Sequence, residues 1–363
     1  MLRPTATAAL LALLLVAPAS AQTLGQMAGQ MIIVGFQGDD ASDKSVKAVA
    51  AEIAAGDLGG VMYLKSNVKS LDAVKAMNAL FRAASPDLPP FITLDQEGGA
   101  VERLTKAVGF EELPNAATIA AGNSPAEAET IYAGMARKVA ALGFSVNFGP
   151  VADLNVNPDN QVIAKYGRAF GKSADTVAAY DEAFVAAHHA AGLITSLKHF
   201  PGHGSSTADS HEGFVDISST WSAKELEPYN ILFGDGYADM VMVGHLYHRD
   251  YAGQGGGKLP ASLSPEWITG VLRDQLGFKG VVVSDDLEMG AIRKIYDLHD
   301  TVVQAVKAGT DVLLFSNTAA PSGGLADKVR GILVSEAESD PAFRARIEAS
   351  YARIVALKAR IGG

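Results

Sequence analysis

The chain has 363 residues, of which 48% are hydrophobic and 19% are charged, so it can build a large core and is unlike a disordered protein. Its formal net charge of −10 at pH 7 argues against binding to nucleic acid or to an anionic membrane surface. The absence of cysteine excludes disulfides, cysteine nucleophiles and thiolate metal ligands.

Residues 1–21 have the pattern of an export signal that is removed after translocation. Arg3 provides a basic start, residues 8–17 are apolar, and Ala19-Ser20-Ala21 is a small-residue cleavage site. The apolar stretch is too short to anchor the protein in a bilayer, and no other stretch is long enough. The sequence therefore predicts a periplasmic or secreted protein without a membrane span, whose folded domain covers residues 22–363.

Short apolar segments rich in β-branched residues recur along the rest of the chain and predict eight strands. They are Met31–Phe36, Gly59–Leu64, Phe91–Asp95, Phe144–Phe148, Ile194–Leu197, Met240–Val243, Gly280–Ser284 and Val312–Phe315. Alanine-rich stretches with helical periodicity lie between them, for example 126–142 and 174–191. Strands that alternate with helices pair in parallel through crossovers, and eight such units predict a single-domain α/β fold, the (β/α)8 TIM barrel. The longest irregular segments, 149–174 and 202–220, are of a length that usually serves function.

Polar and ionisable residues directly follow several of these strands. Asp95 ends the third strand, Lys198 and His199 follow the fifth, His245 follows the sixth and Asp285 follows the seventh. In a parallel barrel the carboxyl ends of all strands meet at one rim, where catalytic groups cluster. We therefore expect a polar active-site mouth at this rim.

Asp285 is the most informative of these residues because it closely follows three consecutive valines, Val281-Val282-Val283. Such a run predicts a strand buried on both faces, which fixes the carboxylate at a defined place on the rim. Helix capping is an equally good interpretation of Asp285 taken alone, since aspartate is a favoured cap residue. The polar residues that follow the other strands favour a catalytic role.

Three reaction classes suit such a mouth. Histidines are plentiful enough for a metal-dependent hydrolase, but no spacing supplies a convincing set of ligands, so no metal is predicted. Schiff-base chemistry on Lys198 fits the strand end but requires an uncharged amine, which the sequence leaves undecided. Glycoside hydrolysis requires a carboxylate nucleophile or base, which Asp285 provides, and hydroxyl-binding groups such as Asp95, Arg103 and Lys198.

The segment Asp209-Ser210-His211, in the loop after the fifth strand, offers a proton donor. An aspartate two residues before a histidine can contact and polarise the imidazole, which makes His211 suitable for acid and base chemistry. A plain surface turn is the alternative, because short Asp-x-His pairs also arise by chance.

The motifs together resemble the bacterial β-N-acetylglucosaminidases of glycoside hydrolase family 3, in the branch with a single domain. The resemblance rests on KHFPGHG at 198–204, DSH at 209–211 and SDDLEM at 284–289. Further matching motifs are DQEGG at 95–99, followed by Arg103, and RAFG at 168–171. The resemblance extends through most of the chain after residue 21, and the combination of motifs is specific.

The resemblance implies a retaining mechanism with a covalent glycosyl-enzyme intermediate. Asp285 would be the nucleophile, and His211, tuned by Asp209, would be the acid and base in place of the usual second carboxylate. The residues that would hold N-acetylglucosamine are Asp95, Arg103, Arg168, Lys198 and His199. No cofactor is implied.

The sequence therefore predicts an exported exo-β-N-acetylglucosaminidase that acts on an oligosaccharide or smaller substrate containing N-acetylglucosamine, drawn from peptidoglycan fragments or chitooligosaccharides. Three alternatives remain open: a family 3 β-glucosidase or β-xylosidase of broad specificity, a phosphorolytic variant, and a catalytically inactive sugar-binding barrel. The sequence does not indicate the oligomeric state.

Two further expectations concern local structure. Asp286 and Glu288 are expected to be local hydrogen-bond partners that point away from the nucleophile, because successive strand residues point to opposite sides. The segment 211–216 lacks the proline that related sequences carry shortly after the DSH motif, so the loop with His211 is expected to be more mobile.

Overall fold

The computed structural model describes residues 22–253 and 258–361, and the predicted export signal lies outside the described residues. Its centre is a ring of eight parallel strands, which confirms the predicted (β/α)8 barrel and all eight predicted strands. In their order around the ring the strands are β1 (Ile32–Gly35), β2 (Gly60–Met62), β3 (Phe91–Leu94), β4 (Val146–Asn147), β5 (Ile194–Phe200), β7 (Met240–Val243), β9 (Val281–Ser284) and β10 (Leu313–Phe315).

The ring closes between β9 and β10 and between β10 and β1. Val283 bridges Val312 in parallel, and the Ser284 N–H donates to the Val312 carbonyl at 3.0 Å. β10 pairs with β1 in regular register, with Ile33 opposite Leu314. A closed ring leaves no unpaired strand edge, and it brings the carboxyl ends of all strands to one rim.

Helices surround the ring in the order expected from the sequence. They are α1 (Leu24–Gln30), α2 (Lys44–Ala55), α3 (Leu71–Ala84), α4 (Ala116–Gly122), α5 (Pro125–Ala141), α6 (Ala174–Ala190), α7 (Glu227–Gly234), a π-helix (Glu266–Gln275), α8 (Gly290–Arg293), α9 (Leu298–Ala308), α10 (Leu325–Ser339) and α11 (Pro341–Lys358). Side-chain caps start several of them; Ser124 and Glu127, for example, form a capping box at α5. Among the described residues, no helix combines the length and apolarity needed to cross a bilayer.

The valine run at 281–283 is buried on both faces, as its composition predicts. Val281 and Val283 belong to the core cluster of the barrel, whereas Val282 packs in a second cluster with Trp267 and Ile268 of the π-helix. Alternate residues therefore face the barrel interior and the helix layer. This packing holds the end of β9, and the carboxylate that follows it, in a fixed position.

A small parallel sheet lies outside the ring, in the segments that follow β5 and β7. It consists of β6 (Val215–Asp216) and β8 (Leu246–Tyr247), with Val215 opposite Leu246. Val215, Leu246 and Ile217 form a buried apolar cluster of their own. The sheet fastens the far end of the long loop that begins after β5 and contains Asp209 and His211.

Candidate active site

A cavity of about 370 Å³ lies at the carboxyl ends of the barrel strands. Seven of the eight predicted site residues line it: Asp95, Arg103, Arg168, Lys198, His199, His211 and Asp285. The eighth, Asp209, is linked to the cavity through His211. The rest of the lining combines apolar side chains, among them Met62, Val162, Met242, Met289 and Leu314, with further polar ones such as His203, Ser316 and Thr318. The arrangement is that of a small-ligand site in which polar and charged groups converge.

Asp285 follows β9 directly and is half-buried. Its backbone N–H donates to the Val243 carbonyl at 3.0 Å, and its Oδ1 accepts the Asp286 N–H at 2.8 Å. Burial opposes ionisation of this carboxyl group, but three nearby imidazoles and the Asp286 N–H outweigh burial and lower the pKa of Asp285 to about 2. The imidazoles are those of His245, His199 and His211. Asp285 is therefore a carboxylate at any pH above this value.

Asp286 also lines the cavity, so the expectation that it points away from Asp285 is wrong. Both residues lie beyond the last residue of β9, where the alternation of strand side chains no longer applies. The expected hydrogen-bonding role is confirmed, since Asp286 Oδ1 accepts the N–H groups of Glu288 at 3.0 Å and Ser316 at 2.8 Å. Glu288 in turn accepts from Ser316 and Thr318. Asp286 thus ties the end of β9 to the segment after β10.

Asp209 and His211 form a dyad at the mouth of the cavity. Asp209 Oδ1 lies 2.7 Å from His211 Nδ1 and accepts the His211 backbone N–H at 2.9 Å. Partial burial of Asp209 raises its pKa, but these two hydrogen bonds outweigh burial and lower it. Because the ionised carboxylate only accepts, Nδ1 carries a proton, and Nε2 is the nitrogen that can exchange a proton with a substrate. The His211 side chain is 66% exposed, so it can be reached from solvent.

The loop that carries this dyad is fastened to the first turn of α8. The N–H groups of Gly290 and Ala291 donate to the carbonyls of His211 at 3.2 Å and Ser210 at 3.1 Å, and Lys294 Nζ donates to the carbonyl of Glu212. Gly290 permits this contact, because a Cβ there would lie 2.7 Å from the His211 carbonyl oxygen. The expected mobility of the loop stays a prediction.

A buried network of charges contributes part of the cavity lining. Lys198 Nζ pairs with Asp95 at 2.8 Å and with Glu97 at 2.6 Å, and its side chain is only 2% exposed. Arg103 pairs with the other oxygen of Asp95 at 2.8 Å, and Glu97 binds Arg168 through two hydrogen bonds of 2.9 and 2.8 Å. The network holds two arginines and a lysine in fixed positions at the cavity, an arrangement suited to binding hydroxyl and amide oxygens.

Glu97 is a residue of this charge network that the sequence interpretation missed. Burial raises the pKa of its carboxyl group, but Arg168 and Lys198 outweigh burial and hold the pKa well below its usual range. The signal was present, since Glu97 lies in the same motif as Asp95. Between them, Gln96 accepts the N–H groups of Arg103 and Leu104 at 3.0 Å each, which fixes the loop with Arg103.

Asp153 is the second missed residue. It follows β4, is fully buried, and its Oδ2 lies 2.7 Å from His199 Nδ1. Its Oδ1 accepts the backbone N–H groups of His199 at 3.2 Å and His203 at 2.6 Å. Asp153 lies six residues beyond the end of β4, too far along the chain for the strand-end rule that located Asp95 and Asp285.

Consecutive residues Lys198 and His199 both line the cavity, although they lie within β5. The pairing of β5 with β7 shifts register between Leu197 and Phe200, which breaks the regular alternation of side chains. Such irregularities commonly redirect side chains beside active sites, and sequence periodicity does not reveal them.

The geometry of the site also bears on the two other reaction classes, Schiff-base chemistry on Lys198 and metal-dependent hydrolysis. The Lys198 ammonium is ion-paired to two carboxylates, which suits a charged binding group rather than a free amine nucleophile. Within residues 22–253 and 258–361, no three histidine, aspartate or glutamate side chains are grouped in a way that could hold a metal ion.

Comparison with known proteins shows the family of the chain. The model of the glycosyl hydrolase family 3 N-terminal domain matches residues 23–357. The beta-hexosaminidase of Stenotrophomonas maltophilia (strain R551-3) is 36% identical over 266 residues, which are 71% of this chain and 76% of the relative. The beta-hexosaminidase of Xylella fastidiosa (strain 9a5c) is 34% identical over 293 residues, 78% of this chain and 82% of the relative.

Solved structures of similar proteins share the fold of this chain. A glycoside hydrolase family 3 beta-N-acetylglucosaminidase from Paenibacillus sp. str. FPU-7 superposes with a TM-score of 0.82 at 34% identity, over 94% of this chain. This chain spans 63% of the length of that protein. A beta-N-acetylhexosaminidase from Beutenbergia cavernae DSM 12333 gives a TM-score of 0.81 at 28% identity, over 94% of this chain and 100% of that one.

The barrel, its carboxylate-bearing rim and these matches define the protein as a glycoside hydrolase. The chain belongs to glycosyl hydrolase family 3.

Proposed function

We propose that this protein is an exported, retaining exo-β-N-acetylglucosaminidase in which Asp285 is the nucleophile and His211 the acid and base. The observation that carries the proposal is the meeting, in one cavity, of an ionised carboxylate at the end of β9 and the Asp209–His211 dyad. The similarity to two bacterial beta-hexosaminidases and to the beta-N-acetylglucosaminidase from Paenibacillus supports the sugar assignment.

In the first step, Asp285 attacks the anomeric carbon of the bound sugar. A bond forms between this carbon and a carboxylate oxygen while the bond to the leaving oxygen breaks, and His211 Nε2 gives a proton to that oxygen. In the second step, Nε2 takes a proton from water, the water oxygen bonds to the anomeric carbon, and Asp285 leaves as a carboxylate. Two inversions at one carbon give net retention.

The buried charge network would bind the sugar in the same cavity. Asp95 accepts hydrogen bonds from sugar hydroxyls, while the cations of Arg103, Arg168 and Lys198 donate to hydroxyl and acetamido oxygens. Each of these cations is already held by a carboxylate, so little ordering is required when the sugar binds. Hydrogen bonds of this kind strengthen in the transition state and contribute several kcal/mol to catalysis.

Export and the natural substrate form the second part of the proposal. Residues 1–21 support export through their basic start, apolar stretch and small-residue cleavage site. An exported enzyme would meet peptidoglycan fragments or chitooligosaccharides. N-terminal sequencing of the protein recovered from the periplasm or medium is expected to give Gln22 as the first residue, and an unprocessed N-terminus would contradict export. Comparing kcat/KM on purified muropeptides and chitooligosaccharides then identifies the substrate.

The activity is tested with chromogenic β-N-acetylglucosaminide and β-glucoside substrates. Faster turnover of the plain glucoside would favour the broad β-glucosidase alternative, and no turnover of any glycoside would favour a sugar-binding barrel. Hydrolysis followed by NMR is expected to give the β-anomer first. Adding phosphate separates hydrolysis from phosphorolysis, because phosphorolysis yields sugar-1-phosphate.

The nucleophile is tested by trapping the intermediate with an activated fluoro-sugar and mapping the labelled peptide. The label is expected on Asp285, and a label elsewhere contradicts the assignment. Asp285→Asn is expected to lower kcat by at least about 10³-fold. Asp274→Asn, which removes an exposed carboxylate on the π-helix, is the control and should retain wild-type kinetics.

A further inference from the structure

A second aspartate–histidine pair, Asp153 and His199, contacts the same cavity as Asp209 and His211. Asp153 is completely buried and His199 is nearly so, whereas the His211 side chain is largely exposed. The 2.7 Å distance between Asp153 Oδ2 and His199 Nδ1 equals that between Asp209 Oδ1 and His211 Nδ1. The proposed function gives the exposed pair a role and assigns none to Asp153.

The hydrogen bonds of Asp153 fix where the proton of His199 lies. Burial raises the pKa of Asp153, but its contacts with His199 and His203 outweigh burial and lower the pKa, so Asp153 is a carboxylate that only accepts. The hydrogen between Asp153 and His199 must therefore be bonded to Nδ1. Nε2 is left as the nitrogen on the cavity side of the ring.

Arg168 determines whether His199 Nε2 donates or accepts a hydrogen bond. Its Nη2 lies 3.3 Å from Nε2, and a guanidinium can only donate, so Nε2 is an acceptor in this arrangement. Arg168 cannot easily turn away, because Glu97 holds it through two hydrogen bonds. A tautomer with the proton on Nε2 would place two donors against each other in a buried site.

Two other buried carboxyl groups, those of Glu225 and Asp181, lie near Asp153, but they do not hold the proton of His199. Burial raises the pKa of Glu225 to about 7 and that of Asp181 well above its ordinary value, and the negative charge of Asp153 adds to both shifts. Both carboxyl oxygens of Asp181 and Oε1 of Glu225 have no hydrogen-bond partner within the described part of the chain. Asp153 is thus the ionised member of this group, and its charge is directed toward His199.

We propose that Asp153 is a positioning residue of the hydrolytic reaction, which holds the proton of His199 on Nδ1 and thereby keeps Nε2 as the hydrogen-bond acceptor that orients Arg168, whose guanidinium donates to the sugar. The inference rests on the proposed function. Because hydrogen bonds to sugar hydroxyls strengthen in the transition state, the effect of Asp153 belongs mainly to kcat rather than to KM.

Asp153→Asn tests the inference with little structural change. The amide oxygen can still accept the backbone N–H groups of His199 and His203, whereas the amide nitrogen donates to Nδ1 and drives the proton to Nε2. We expect kcat to fall about 10²-fold with a smaller change in KM, as expected when a histidine is held in the wrong tautomer. In a His199→Gln background, Asp153→Asn is expected to change kcat less than about twofold, because no imidazole remains to be fixed.

Asp239→Asn is the matched control. Asp239 is also buried and also accepts from a histidine, His189, and from a backbone N–H, that of Thr195, but it precedes β7 at the opposite end of the barrel. Assayed below its unfolding temperature, this variant should retain wild-type kcat. An equal loss from Asp153→Asn with and without His199 would show a merely structural role and overturn the inference.

The tautomer is read directly from the nitrogen chemical shifts of ¹⁵N-histidine-labelled protein, with His199→Gln to assign the signal. We expect wild-type His199 to be protonated on Nδ1, and the proton to move to Nε2 in Asp153→Asn. A wild-type His199 protonated only on Nε2 overturns the inference, even if Asp153→Asn does not fold. This spectrum needs no substrate, so absence of N-acetylglucosaminidase activity would contradict the proposed function separately, and the kinetic cycle would then use whichever glycoside is hydrolysed.

Discussion

At the scale of single residues, Glu97 connects two of the cations of the cavity. Its Oε1 lies 2.6 Å from Lys198 Nζ and 2.8 Å from Arg168 Nη2, and its Oε2 accepts from Arg168 Nε at 2.9 Å. Lys198 has a second partner in Asp95, whereas Arg168 has Glu97 as its carboxylate partner. The position of Arg168 therefore depends on Glu97 more than that of Lys198 does.

Glu97→Gln is expected to weaken substrate binding and catalysis together. The glutamine amide nitrogen would face a guanidinium donor, so Arg168 loses one of its two hydrogen bonds, and breaking a buried pair of this kind costs about 3–5 kcal/mol of stability. We expect kcat/KM of folded enzyme to fall by at least about tenfold, with a rise in KM. Steady-state kinetics on the β-N-acetylglucosaminide, together with urea unfolding, measure both effects.

Glu102→Gln is the control for this prediction. Glu102 is buried five positions along the chain, and its carboxylate accepts the Leu113 N–H rather than a cation of the cavity. Its substitution should leave KM close to the wild-type value. An unchanged KM and kcat in Glu97→Gln would mean that Arg168 does not require this carboxylate.

Most residues of the candidate site were predictable from the sequence. A residue at the carboxyl end of a barrel strand lies at the rim, whatever the other details of the fold. Asp95, Lys198, His199 and Asp285 all reach one cavity for this reason. Buried partners such as Asp153 were not predicted, since they are recognised only by the groups they contact.

At the scale of elements, the loop between β5 and β6 decides where His211 lies. One end continues from β5, and the other is held by β6 in its small sheet with β8. Between these ends the loop depends on contacts with the first turn of α8, where Gly290 and Ala291 donate to its carbonyls. These contacts fasten the segment that carries His211 to the barrel.

Gly290→Ala is expected to displace this loop and lower kcat by about tenfold or more, with little change in stability. The added Cβ would lie 2.7 Å from the His211 carbonyl oxygen and 2.8 Å from that of Glu212, so the loop must shift. A displaced general acid loses part of its contribution, which is typically 10²–10⁴-fold. Kinetics and thermal unfolding of the same preparation separate the two effects.

Gly213→Ala is the matched control in the same loop, because a Cβ there meets no atom within 4 Å. It should behave as the wild type. If Gly290→Ala were as active as Gly213→Ala, the contact with α8 would not determine the position of His211.

The elements themselves were largely predictable, because the strands are short apolar runs and the helices carry alanine-rich periodicity. The structure confirms all eight strands, although β5 extends to Phe200, three residues beyond its predicted end. β6 and β8 were not predicted, since these two-residue strands lie outside the alternation of strands and helices that predicts the barrel. The register shift in β5 was missed because a local irregularity leaves no trace in the periodicity of a sequence.

At the scale of the whole molecule, α11 closes the end of the barrel opposite the cavity. Arg353 pairs with buried Asp311 at 2.9 Å, just before β10, and Arg360, beyond the helix, pairs with buried Asp239, just before β7. Lys358 reaches the Gly59 carbonyl at 2.7 Å, just before β2. Three basic side chains near the C-terminus thus connect the starting ends of strands that are far apart in the chain.

Lys358 differs from the two arginines because its partners are neutral. Its Nζ donates to the Gln30 side-chain oxygen and the Gly59 carbonyl, each at 2.7 Å, and lies 4.7 Å from the centre of the Phe91 ring. The side chain is 1% exposed, and burial lowers the pKa of Lys358 from 10.5 to about 7. The neutral amine retains two hydrogens and can still serve both acceptors.

This pKa predicts that part of the stability of the barrel increases with pH. Between pH about 7 and 10.5 the folded protein has lost the Lys358 proton while the unfolded chain still binds it, so the free energy of unfolding rises, by at most about 1.4 kcal/mol per pH unit. Below pH 7 both states bind the proton and the contribution levels off.

Lys358→Met removes the titrating group and should remove this part of the rise, which urea unfolding at pH 7, 8 and 9 measures as a difference in slope. Lys328→Met, at an exposed lysine of α10, should keep the wild-type slope. Equal slopes in wild type and Lys358→Met would mean that Lys358 remains charged in the folded barrel and that its two acceptors and the Phe91 ring offset its burial.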